Sequence, residues 1–471
     1  MSDFNTMGRG ARRMRRMASL SGLIVAAGLG ANPAAAIQTD FGVDYRATTF
    51  YVDSNAFDND TAGFVDSDQG FAQYLRVEAD FKHEETGVQV ITRVELSGDR
   101  WTGDERQYSP TAQRAFNTTN TGDTVRLDLG FVQIPIGKTL IRVGRQEANF
   151  NNCFLVCDDR RDRIFAARGI GPVNAFVLYD RRQDNASFAN IDNGDQFLGG
   201  FVTPLGKSGW NLGALYLYYN DNYDGQLSDY AFLPGSPVQQ STDAPGGVTA
   251  GAPYVLDGGQ AVSAYMTGAL GAVDIEFGTN IFYEGDVDND TTPGREDFLN
   301  DVGWAEYLRI GTEFDRYALR AQYIGTQDGG YLSTGFDTYT STINSNPEST
   351  ANPTSVYSVG RAFGVKNFNQ NFFVANGTVD LTDKLALGAS VGALNISIPD
   401  SAGGQSDTSM VYDAELSYQY NSVFRTWFTA GWVEPNEAIF PQGNSLIGSI
   451  SGTNLNDHHV FATSLNIGVE F

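Results

Sequence analysis

The chain closes on Phe461-Ala-Thr-Ser-Leu-Asn-Ile-Gly-Val-Glu-Phe471. Side chains alternate across an extended strand, so Phe461, Thr463, Leu465, Ile467, Val469 and Phe471 share one face. An aromatic, apolar strand at the very end of a water-soluble protein is an open edge that invites aggregation. A closed transmembrane β-barrel removes that edge by pairing the last strand with the first.

Working back from that strand, the same period recurs along the chain. In Phe71–Lys82, Leu75, Val77, Ala79 and Phe81 face away from Arg76, Glu78, Asp80 and Lys82. In Val273–Glu284, Ile275, Phe277, Thr279 and Ile281 oppose Asp274, Glu276 and Asn280. Ser409–Tyr420 separates Met410, Tyr412, Ala414 and Leu416 from Asp413, Glu415 and Ser417. Such runs begin near residues 41, 71, 88, 125, 139, 162, 173, 196, 210, 260, 273, 304, 317, 370, 385, 409, 423 and 459. That predicts eighteen strands, or sixteen if the weak runs near 139 and 162 fail. The connections alternate between short ones (His83–Gly87, Leu270–Ala272, Asp315–Arg316, Asn421–Ser422) and long ones (99–124, 220–259, 327–369, 434–458). Short periplasmic turns and long extracellular loops are the layout of bacterial barrels. The expected fold is therefore all-β, a single closed antiparallel transmembrane β-barrel in the bacterial outer membrane.

The other end agrees. Arg9, Arg12, Arg13, Arg15 and Arg16 precede an apolar stretch from Leu20 to Leu29 and then Ala34-Ala35-Ala36. This is the layout of a cleaved signal peptide over residues 1–36, leaving 37–471 as the barrel domain. Removing the leader takes five arginines and Asp3 from 31 bases and 56 acids, so 26 and 55 remain, a formal −29. So acidic a surface argues against nucleic acid and anionic lipid as partners. The last strand, with aromatic Phe471 at its end, resembles the C-terminal assembly signal read by the barrel-assembly machinery. Expected partners are then that machinery, outer-membrane lipid and small polar solutes, with monomer or trimer left open.

If apolar faces meet lipid, the opposite faces line the bore, where charge is hydrated. Alternation puts Arg46, Arg76, Arg93, Arg126, Arg142, Arg309, Arg320 and Arg425 there, with Asp44, Glu78, Asp80, Glu95, Asp128, Asp274, Glu276, Glu313, Asp413 and Glu415. Either these charges form opposed clusters that orient a passing solute, or they pair across neighbouring strands. The tally is near neutral, which does not support strong anion selectivity. Arg145 is out of step, because alternation with Val143 points it toward lipid. It lies above the hydrocarbon, or a bulge turns it inward.

Arg142-Val-Gly-Arg-Gln-Glu147, then Arg160-Arg-Asp-Arg-Ile-Phe-Ala-Ala-Arg168, then Asn174-Ala-Phe-Val-Leu resembles the alginate-export-type family of outer-membrane porins. That resemblance implies an eighteen-stranded monomeric barrel. Polysaccharide exporters of that family line their pores with arginine, whereas here acids match bases. The resemblance thus implies a general porin for passive diffusion of small hydrophilic solutes, with exopolysaccharide (alginate-like) export as the alternative.

Between those motifs lie the two cysteines, Cys153 and Cys157. In an oxidising periplasm they are expected to pair and stiffen a loop tip. That loop, with Asp158, Asp159, Arg160 and Arg161, either folds into the bore as a constriction or stands as a surface hairpin. No metal or cofactor is expected. The histidines, at 83, 458 and 459, are remote from the cysteines, and the acidic runs at 53–68 and 286–290 lack the Gly and closing Glu of a calcium loop. Catalysis is not expected either, since the scarce histidines lie at a turn and beside the last strand and no nucleophile is set beside a base.

Overall fold

A computed structural model describes residues 37–53, 67–97, 126–184, 193–206, 208–221, 256–257, 259–283, 286–287, 302–333, 336–343, 359, 367–397, 406–434 and 459–471. The proposed leader lies outside the described residues, as do 99–124 and most of the other long connections.

Eighteen strands form one sheet. They are β1 (Ile37–Asp53), β2 (Ser67–His83), β3 (Gln89–Ser97), β4 (Arg126–Ile136), β5 (Thr139–Phe150) and β6 (Val156–Ile170). Next come β7 (Val173–Asp184), β8 (Asn193–Pro204), β9 (Asn211–Asp221), β10 (Gln260–Leu270), β11 (Val273–Tyr283) and β12 (Gly303–Phe314). The last six are β13 (Tyr317–Gln327), β14 (Asn369–Asp380), β15 (Leu385–Ser397), β16 (Ser406–Gln419), β17 (Phe424–Val433) and β18 (Val460–Glu470). All eighteen coincide with the sequence-predicted runs, including the weak ones near 139 and 162. A separate two-stranded pair joins Leu256–Asp257 to Asp286–Val287.

Each strand pairs antiparallel with its neighbours in sequence, and β1 pairs with β18 from Asp44↔Glu470 to Asp53↔Phe461. The terminal residue completes the seam: Phe471 N–H donates to Val43 O at 3.1 Å and Val43 N–H to Phe471 O at 2.8 Å. The sheet is a closed cylinder, so wall backbone groups find partners without water.

Register carries the outward apolar residues around the cylinder as one belt. Phe277 lies opposite Leu308, Leu308 opposite Tyr323 and Tyr323 opposite Phe373. Further round, Leu416 lies opposite Phe428 and Phe428 opposite Leu465. All of these side chains except the half-buried Tyr323 are exposed, because lipid, not protein, is their solvent. Trp304, Tyr412 and Trp432 at one rim and Tyr317, Tyr418 and Tyr420 at the other are exposed as well, where aromatic girdles belong.

Candidate functional site

The bore is narrowed by two segments, and the first is the stapled hairpin. β5 pairs with β4 only from Thr139↔Ile136 to Arg145↔Gly130, and β6 pairs with β7 only from Ile170↔Val173 to Arg163↔Asp180. Beyond those rungs residues 146–161 pair only with each other, through Gln146↔Arg161, Glu147↔Arg160 and Phe150↔Val156. The hairpin has left the wall. Gly144 sits just below the departure with φ 121°, and a Cβ there would overlap the Gly130 carbonyl oxygen. No side chain but hydrogen fits that crossing. Arg145 is not turned inward by a bulge. It keeps the parity of Val143 and lies opposite Asp162 on the last rung shared with the wall.

The tip reaches the inner face of β10–β12. Asn151 Nδ2 donates to Ser263 Oγ at 3.0 Å, and Asn152 Nδ2 to the Tyr307 hydroxyl at 2.8 Å. Phe150 meets Tyr265 with ring centroids 5.3 Å apart, and Phe154 meets Tyr307 at 4.7 Å. Leu155 is fully buried with Leu215 and Leu217. Asn151, Asn152 and Cys153 all hold left-handed backbone, with φ of 56°, 53° and 67°. Each such residue costs on the order of 1 kcal/mol or more, so the contacts at the tip must hold it in place. Cys153 and Cys157 are bridged across this turn.

Behind the hairpin, carboxylates and guanidinium groups fill the space to β2–β4. Asp128 accepts from Arg93 and from Arg160 Nη1 at 2.9 Å, with Arg76 Nε at 3.7 Å. Arg76 also pairs with Glu95 at 3.1 Å, and Arg93 reaches Glu147 at 3.1 Å and Glu78 at 3.9 Å. Closer to the departure point, Arg163 holds Asp159 and, at 3.2 Å, Asp180; Arg161 holds Asp159 at 3.0 Å. Asp128, Arg163 and Asp180 are almost wholly buried. Burial is tolerable because every charge here is met by an opposite one. The inward residues of β2–β4 thus tie the hairpin to the wall. Arg126 is placed by backbone alone, opposite Glu95, and the side chain of Asp158 lies outside the described residues.

The second segment comprises 331–333 and 336–343, within the predicted long connection 327–369. Its Phe336 packs on Phe154 with centroids 4.8 Å apart, and Ser333 N–H donates to Phe154 O at 2.9 Å. The segment then follows the inner wall. Asp337 O accepts from Arg309 and from Gln322 Nε2 at 2.9 Å, and Tyr339 O accepts from Ser390 Oγ at 2.6 Å. Ser341 Oγ donates to Asp413 at 2.5 Å and Thr342 Oγ1 at 3.3 Å. Arg309 stacks over Phe336 at 4.1 Å and Tyr339 at 5.1 Å. Burial pushes the Tyr339 hydroxyl above its ordinary pKa, so it stays neutral.

Below both segments a chamber of about 1860 Å³ extends to the short-turn end. Of the sequence-predicted lumen residues, Arg142, Glu276, Arg309, Glu313, Arg320, Asp413, Glu415 and Arg425 line it. Most are paired across adjacent strands: Arg309 with Glu276 at 3.6 Å, Arg320 with Glu313 at 3.9 Å, Arg425 with Glu415 at 2.8 Å. Arg46 pairs with Asp44 along β1 at 3.2 Å. Local pairing, not opposed clusters, organises these charges. The lining carries ten acids against six bases, counting turn residues such as Asp380, Asp383 and Lys384 that face-by-face reading of strands passed over.

One wall departs from the expectation that inward faces are polar. Phe165, Phe176, Leu178, Leu198, Leu215 and Tyr265 line the chamber from β6 to β10. The sequence carried the signal: Asn174-Ala-Phe-Val-Leu178 and Leu215-Tyr-Leu-Tyr-Tyr219 are apolar on both faces. A strand apolar on both faces is covered on both. Here lipid covers one side, and the hairpin's Phe150, Leu155 and Val156 cover part of the other.

No family model matches the chain, and no curated protein matches it. Solved structures do. The crystal structure of Pseudomonas aeruginosa OpdK with vanillate is similar at a TM-score of 0.51 and 9% identity, covering 92% of this chain and 98% of that one. The fold is that of an outer-membrane β-barrel. Pseudomonas aeruginosa OccK11 (OpdR) is similar at 0.51 and 9% identity, covering 92% and 96%. OccK5 (OpdH) of the same organism follows at 0.50 and 10%, covering 92% and 98%. The resemblance of the short motif to alginate-export-type porins is therefore not joined by a family model or a curated relative.

Proposed function

We propose that this chain is an outer-membrane porin whose water-filled bore admits small hydrophilic solutes by passive diffusion. The observation that carries the reading is the chamber of about 1860 Å³ inside a closed eighteen-stranded wall, narrowed by the 146–161 hairpin and the second segment. A barrel of this size is too wide for wall side chains alone to fill. The in-folded segments act as the constriction, with residues 150–156 at its centre. Ten acids against six bases around the chamber favour neutral and cationic solutes over simple anions. The same excess speaks against a polyanionic polysaccharide as cargo.

Planar-bilayer recording tests this directly. The reading expects stepwise conductance in KCl and a reversal potential in a salt gradient that marks mild preference for potassium. Absence of any conductance from folded, heat-modifiable protein would falsify the channel.

A further inference from the structure

Arg142 differs from the other inward arginines of the chamber. Among the described residues no carboxylate reaches it, whereas Arg309, Arg320 and Arg425 each have one. Its Nε donates to Gln133 Oε1 at 2.8 Å. Its Cζ lies 5.5 Å from the ring centre of Phe131 and 5.8 Å from that of Phe165. It faces the chamber at the margin of the apolar wall formed by Phe165, Phe176, Leu178 and Leu198. A guanidinium stacked on ring faces keeps its orientation, and its unused N–H groups form a planar fork suited to a carboxylate or sulfonate.

We propose that Arg142 anchors a binding site in the chamber for a small organic anion with a flat apolar body. The inference deepens the porin reading and rests on it. A bare anion gains nothing from the apolar wall and is repelled by the acid excess. An apolar cation meets Arg142 itself. A ligand with one negative charge on an arene uses both features at once: the fork takes the charge and the wall takes the ring. The chamber is larger than the roughly 300–1,000 Å³ of a closed small-molecule pocket, so the ligand lies along one wall and leaves again. That is a way-station for transport, not a trap.

The test uses the full-length barrel in planar bilayers with benzoate, acetate or benzylamine added at equal concentration. Benzoate is expected to give current interruptions at least about tenfold longer than acetate, since a ring removed from water is worth a tenfold change or more. Arg142→Gln should bring benzoate down to the acetate level, and Phe176→Ala should shorten benzoate dwell times while leaving those of acetate alone. Saturation-transfer NMR of benzoate on the detergent-solubilised chain reads the same site without any current. If KCl conductance is missing but benzoate binds through Arg142, the porin reading fails and the site stands. If KCl conductance is normal but acetate, benzylamine and benzoate behave alike, or Arg142→Gln changes nothing by either readout, the site is refuted and the porin reading stands.

Discussion

Asn151 Nδ2 donates to Ser263 Oγ at 3.0 Å, and Ser263 Oγ donates onward to Asn280 Oδ1 at 2.8 Å. The first of these bonds joins the turn after β5 to the inner face of β10, crossing the bore. All three side chains are at most 1% exposed. Amide and hydroxyl groups buried this deeply are held by their partners, because each would cost free energy if left alone. The bond therefore fixes where the hairpin tip sits.

Asn151→Ala removes that anchor and leaves Ser263 and Asn280 to find other partners, a loss of about 1–3 kcal/mol at the tip. The wall ladder is untouched, so heat-modifiable gel mobility should be unchanged. Single-channel recordings should show raised mean conductance and added low-frequency noise. A quiet channel of unchanged conductance would show that Phe150 and Phe154 hold the tip without the amide.

The disulfide acts on the same turn. It closes a ring of five residues, Cys153 to Cys157, so its entropic effect on global stability is small. Its local effect is to restrict residues 153–157, beginning with Cys153, the last of the three consecutive left-handed residues. Replacing both cysteines by serine should leave the unfolding midpoint of the barrel almost unchanged while increasing gating noise. Dithiothreitol on the native protein should reproduce that noise, and should have no effect on the double variant.

How much of this was legible beforehand depended on which face of a strand carried the information. Period two found all eighteen strands, because lipid demands an apolar outer face whatever lies inside. The inner face obeys no such rule once a segment folds into the bore. Phe176, Leu198 and Leu215 gain an apolar neighbour there, so their parity looked uninformative while it was reporting the hairpin. Cys153, Cys157, Asp159, Arg160 and Arg161 could be read as a stapled constriction or a surface tip, and only the broken ladders at Arg145 and Arg163 show the hairpin inside. The second segment gave no signal, since a run such as Asp337-Thr-Tyr-Thr-Ser-Thr342 looks like any polar loop. Ser341 and Thr342 are held by Asp413 of the wall, far off in sequence, and Thr338 and Thr340 by the Ile343 carbonyl within the segment itself.

Asp128 is the hub behind the hairpin, with Arg76, Arg93 and Arg160 around one carboxylate that is 4% exposed. Asp128→Asn keeps the shape and removes the charge, leaving three guanidinium groups to share Glu95, Glu78 and Glu147. Breaking a buried ion pair typically costs about 3–5 kcal/mol. The expected result is a lower denaturant midpoint together with faster protease cleavage within 146–161. Asp128→Glu should recover much of the midpoint. If Asp128→Asn unfolds at the wild-type midpoint, the network does not secure the hairpin.

Gly278 on β11 offers a way to move the tip without altering it. A Cβ at this position would overlap the Asn151 side-chain oxygen and lie 2.6 Å from Tyr307 Cε1. The backbone of Gly278 is ordinary strand, so Ala suits the ladder, but its Cβ crowds the docked Asn151 and the Tyr307 ring beside it. Overpacking of this kind costs about 1–3 kcal/mol unless something yields. The hairpin is held by side-chain contacts and the wall by a continuous ladder, so the hairpin should give way first. Gly278→Ala is then expected to raise conductance much as Asn151→Ala does, with the barrel still heat-modifiable. Because both changes release one contact, the double variant should resemble either single one and not their sum. Gly199→Ala is the matched control: a Cβ there meets nothing within 4 Å, and conductance should be that of the wild type. Additive effects in the double variant would mean that Gly278 and Asn151 act on different parts of the bore.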